Sequence, residues 1–128
     1  MDRQPSSSPS STPSSINHLD THFLHILFDH NSPHLQRQNI IKHASTEQMK
    51  EFLELVYNMI HGNISVTKKQ ITQLRKHKRT INILVNDRVV IERKQKILAN
   101  SYHLLLLFLS ILGPWVHEHV FESLMDTA

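Results

Sequence analysis

Residues 67–85 read TKKQITQLRKHKRTINILV. Thr67 and Gln70 have the spacing of a capping box, in which a hydroxyl accepts from the third backbone N–H and the amide returns to the cap's own N–H. Behind that start Ile71, Leu74, Ile81 and Val85 recur at three- and four-residue steps, which predicts helix from about 68 to 85. On one such helix Lys68, Thr72, Arg75 and Arg79 share a face, while Ile71, Leu74 and Ile81 point inward. The helix then has an apolar side for a core and a cationic side for a polyanion. The string INILV-ND-RVVI at 81–91 also fits a β-hairpin, being rich in branched residues around an Asn-Asp pair. We read helix, a turn at Asn86-Asp87, and a further helix over about 90–99. Arg93, Lys94 and Lys96 continue in helical register there beside Ile97 and Leu98.

Upstream, Ser45 and Gln48 form a second capping-box pattern ahead of Met49, Phe52, Leu53, Val56, Met59 and Ile60. They predict a helix over about 46–61, closed by Gly62 in the left-handed conformation. Ser32-Pro33 predicts another start, with the serine as cap and the proline in the first turn of a helix reaching about His43. Leu19, Phe23, Ile26 and Leu27 give helical spacing from Leu19 to about His30. Residues 1–16 are dominated by serine and by Pro5, Pro9 and Pro13; such a segment cannot bury enough apolar surface to offset its chain entropy and is expected to be disordered. It has neither the apolar stretch of a secretory signal nor the arginines of a transit peptide.

Downstream, Leu104 to Leu112 is apolar apart from Ser110. Gly113-Pro114 is expected to break the helix it forms, with a short amphipathic piece after it, over roughly 115–125. Residues 97–116 approach the length of a bilayer span, with Tyr102 and Trp115 near the two ends and Arg93, Lys94 and Lys96 on one flank. Asn100, Ser101, His103 and Gly113-Pro114 interrupt the run, as in a buried helix. The expected fold is mainly α, a small helical domain of about four to six short helices behind the disordered tail, divided into a helical domain over 17–99 with its basic centre at 68–96, and an apolar C-terminal helix with a short acidic tail over 100–128.

Composition narrows function. The chain has 128 residues, no cysteine and two glycines, which leaves out disulfide scaffolds, thiol nucleophiles, Cys-based zinc fingers and Gly-rich phosphate loops. No triad, carboxylate pair or phosphate loop emerges, so a non-enzyme with no cofactor and no small-molecule substrate is expected. The net charge of +3 conceals its distribution. Residues 1–67 hold four basic and six acidic groups, 68–96 hold ten basic against Asp87 and Glu92, and 97–128 hold three acids and no Lys or Arg. The blocks carry −2, +8 and −3. Lys68, Lys69, Arg75, Lys76, Lys78 and Arg79 are the candidate phosphate contacts, with Arg93, Lys94 and Lys96 adding to the same field. About six phosphate contacts release enough counterions for steeply salt-dependent, sequence-indifferent binding. RKHKR at 75–79 also resembles a short nuclear-import signal. No aromatic lies within 68–96, which argues against a dedicated single-strand reader.

The stretch YNMIHGNISVTKKQITQLRKHKR, residues 57–79, resembles a block in small basic proteins of Polinton/Maverick transposons and adintovirus-type DNA viruses. Those proteins have been likened to the adenovirus core protein X, a DNA-condensing virion component. Tyr57-Asn58, Gly62-Asn63-Ile64, Thr67, Gln70, Leu74-Arg75-Lys76 and Lys78 carry the resemblance, and Arg88-Val89 to Leu98 continues it more weakly, over about residues 46–112. The chain departs from the pattern where Asn100-Ser101-Tyr102-His103 replaces a Gly-rich turn, and where Val90-Ile91 replaces a capping serine. The resemblance implies a non-enzymatic, DNA-binding virion-core or accessory protein located in the nucleus or virion. Two alternatives stay open: a membrane-associated protein inserting 97–116, and a helical protein-interaction module whose apolar tail packs on a partner or on itself.

Eleven histidines invite a metal reading. His18, His22 and His25, with Asp29, fall at helical spacing that can gather imidazoles on one face. The plainer expectation is a solvated polar face.

Overall fold

Both capping boxes form. Ser45 Oγ accepts from the Gln48 N–H at 3.1 Å and Gln48 Oε1 accepts from the Ser45 N–H at 2.9 Å; Thr67 and Gln70 repeat the exchange at 3.1 and 2.9 Å. The computed structural model describes residues 21–121. The described residues contain seven α-helices and no strand: α1 (Thr21–Phe28), α2 (His34–Lys42), α3 (Thr46–Ile60), α4 (Lys68–Arg75), α5 (Lys78–Leu84), α6 (Ile91–Ala99) and α7 (Tyr102–Val116). A π-helical turn, His117–Phe121, prolongs α7. The Ser/Pro-rich segment and the acidic end after Phe121 lie outside the described residues.

The protein is therefore mainly α, and residues 81–91 are helix, turn and helix instead of a hairpin. In the turn Asn86 Oδ1 accepts from the Arg88 N–H at 2.9 Å. Gly62 ends α3 at φ +81°. Asn63 N–H reaches the Asn58 carbonyl at 2.9 Å and Gly62 N–H the Met59 carbonyl at 3.2 Å, the paired bonds of a Schellman stop.

Three expectations are corrected. The helix expected over 68–85 is divided, because α4 closes at Arg75 and α5 opens at Lys78. The Lys76 and His77 N–H groups bond back only three residues, to Gln73 and Leu74. An unbroken helix would set Arg75 against both Lys78 and Arg79 at three and four residues, a like-charge arrangement that destabilises helices. Ser32 does not cap α2. Its hydroxyl donates to the Ile26 carbonyl at 2.7 Å, and extended Pro33 holds the cap position without a side-chain bond. Gly113-Pro114 does not end α7, which runs through both residues to Val116. Burial of Ile111, Leu112, Val116 and Val120 holds the helix across a proline whose own side chain is exposed, so tertiary packing outweighs the missing N–H.

α7 sits at the centre. It packs on α1, α3, α4 and α6, and its Leu104, Leu105, Phe108 and Leu112 join Leu24, Leu27, Met49, Phe52, Val56, Leu84 and Leu98 in one buried cluster. The Phe52 ring lies between Phe28 and Phe108, at centroid distances of 6.5 and 6.3 Å. Polar ties fix the helices around it. Arg37 of α2 donates through Nε to the Leu27 carbonyl at 3.1 Å, through a second nitrogen to the Asp29 carbonyl, and through Nη1 to the Tyr102 hydroxyl at 3.4 Å. Gln95 of α6 donates to the carbonyls of Ile41, Lys42 and Ala44 at 2.8, 3.2 and 2.9 Å.

Candidate nucleic-acid interface

The Thr67 cap aims α4, and Leu74 anchors it with 9% of its surface exposed. Ile81 and Leu84 anchor α5 in the same way. Between these anchors Lys68, Lys69, Arg75, Lys76, Lys78 and Arg79 are all exposed. The break at Lys76-His77 changes their grouping. Lys68, Thr72 and Arg75 keep a common face on α4, whereas Arg79 stands on α5 and leaves that line. Arg75 falls in the last turn of α4, where a cation meets the negative end of the helix dipole. Lys78 and Arg79 open α5, at the end the dipole makes positive, with no acid in that turn. A polyanion there relieves an unfavourable placement of charge.

Ile71 does not face inward as the periodicity expected; it is 38% exposed. Together with Ile60 it borders an apolar groove that Arg75 and Lys78 also line.

The cations of α6 are not brought to one surface. Arg93 is exposed. Lys96 lines a groove between α2 and α6 together with Lys42 and Glu92. Lys94, expected to add to the same cationic field, is only 8% exposed. It stands three residues after Ile91 and four before Leu98, on the stripe that α6 turns to the core, and its alkyl stem is packed there. That position was legible, since residues 91, 94, 95 and 98 are one helical face.

Arg88, not counted among the candidate contacts, is exposed beside the Asn86 turn. Tyr57 and His61, at the end of α3, were not counted among them either. These two rings stack at 3.9 Å with 24° between planes, and Tyr57 is 46% exposed. Their four-residue spacing was the available signal.

His22 and His25 are exposed on α1, and His25 stacks on Phe121 at 3.9 Å. His18 lies outside the described residues. Among the described residues no group of three or more His, Asp or Glu side chains is arranged to hold a metal ion. No protein-family model, curated protein or solved structure matches the chain.

Proposed function

We propose that this is a non-enzymatic DNA-binding protein that grips phosphates through α4 and α5 without reading sequence, a core or accessory component of viral or transposon origin acting in the nucleus or virion. The observation that carries the reading is the pairing of a buried apolar side with six exposed cations in twelve residues, Lys68, Lys69, Arg75, Lys76, Lys78 and Arg79. Phosphate contacts position a protein on a duplex and carry no base information. Base readout needs Asn, Gln or Arg entering a groove; Gln73, Arg75, Arg79 and Asn82 are exposed on α4 and α5, and no contact singles one of them out for that role.

About six contacts give a slope near −5 in log K against log salt, and about a thousandfold loss of affinity between 50 and 200 mM. Fluorescence anisotropy on unrelated duplexes across a salt series tests this. Equal affinities and that slope are expected, with most of the binding removed by charge reversal at Arg75, Lys76 and Arg79. Binding that persists near molar salt, or that survives the reversal, refutes the reading.

A second reading has one observation behind it. Tyr102–Phe121 is a continuous 20-residue helix with an 18-residue stretch of mean hydropathy 1.5, long and apolar enough to cross a membrane by length and composition. Its inner side chains are already engaged by α1, α3, α4 and α6, so insertion requires the domain to open around it. Co-flotation of the protein with liposomes that withstands carbonate extraction would support this reading over the first.

A further inference from the structure

The groove between the end of α3, α4 and the start of α5 has a volume of about 700 Å3. Buried Ile64 and Leu74 form its floor, Ile60 and Ile71 its half-open apolar rim at 39% and 38% exposure, and Arg75 and Lys78 its charged side. A complementary occupant has two or more apolar side chains and carboxylates close beside them. The chain carries such a sequence. Residues 122–128, ESLMDTA, set Glu122 and Asp126 four residues apart around Leu124 and Met125, and no Lys or Arg occurs after Lys96. The charge there is opposite to the groove's, and its apolar side chains match the groove's apolar rim.

We propose that this groove binds residues 122–128 of a second copy of the chain, Leu124 and Met125 against the isoleucine rim and Leu74, Glu122 and Asp126 against Arg75 and Lys78. The described structure ends at Phe121, which is stacked on His25 of α1, while the groove belongs to α3, α4 and α5, and in the proposed contact tail and groove come from different copies. Tail and groove are different surfaces, so the contact is heterologous and a dimer keeps one free groove and one free tail. Association therefore continues past the dimer as concentration rises. Apolar burial supplies the attraction, and the carboxylate–cation pairs set orientation and make the contact weaken with salt.

Sedimentation velocity on the full chain over a concentration series tests the proposal. The wild type is expected to shift to higher mass with concentration. A chain lacking residues 122–128 and the Ile71→Asp chain are each expected to stay monomeric. An equimolar mixture of those two, one offering only a groove and the other only a tail, is expected to recover a dimer and go no further. Circular dichroism checks that Ile71→Asp keeps its helices, and Ile60→Asp on the opposite rim replaces it if it does not. A wild type that is monomeric throughout, variants that associate like the wild type, or a mixture that recovers no dimer overturns the proposal.

Discussion

Two neighbouring polar residues of α6 occupy its inward face, and they act differently. Gln95 uses one amide group to satisfy carbonyls at Ile41, Lys42 and Ala44, where α2 ends and its last carbonyls have no partner within the helix. Replacing it with leucine keeps the volume and removes the donor, so the Gln95→Leu chain should lose about 1–3 kcal/mol of unfolding free energy. Urea titration reads this as a lower midpoint at unchanged slope. Lys94 is buried beside it. With its charge withdrawn from the outer surface, Lys94→Met should leave DNA affinity and salt slope as they are. Arg75→Ala, which removes an exposed cation, should lower the slope by about 0.9. Equal effects of the two substitutions in a salt-series anisotropy measurement would contradict this division. Arg93, Lys94 and Lys96 looked equivalent in the sequence, and only register against Ile91 and Leu98 separates Lys94 from the other two.

At the scale of elements, the short basic helix depends on its start. An eight-residue helix is marginal by itself, and α4 has a single buried side chain, Leu74, to hold it. Thr67→Ala should therefore cost about 1 kcal/mol, concentrated as faster amide hydrogen exchange over residues 68–75, with α3 protected by its own intact box at Ser45. The helix starts at Ser45 and Thr67 and the stop at Gly62 were legible because each is made by residues within a few positions of one another. The break at Lys76-His77 was not, since the apolar period runs through it and only the crowding of like charges argues otherwise. Gly113-Pro114 misled in the opposite direction. Local propensity says stop, but the core takes up side chains on both sides of the pair, and that information belongs to α1, α3 and α6.

For the whole molecule, α7 is the element around which the others are ordered. It supplies Leu104, Leu105, Phe108, Leu109, Ile111, Leu112 and Val116 to the interior. A chain ending at Asn100 should therefore lose helical circular dichroism far beyond the share of the missing residues, and show no cooperative thermal transition. A folded, monomeric remainder would mean that residues 21–99 hold a core of their own. The candidate surface was legible as a charge block and illegible as a shape. Ten basic residues in 68–96 are countable, but their division among α4, α5 and two sides of α6 follows from how those helices meet α7, α2 and each other.

The interruption between α4 and α5 has one more consequence. An unbroken helix over 68–85 would be a rod about 27 Å long, and a rod laid against a cylinder touches it along a short tangent before its ends lift away. Cut in two, the same cations sit on pieces of about 12 Å and 10 Å, joined where His77 leaves helical geometry at φ −112° and ψ 22°. Under the proposed DNA-binding reading each piece makes its own tangent, so the phosphate contacts fall into two short sets instead of one line.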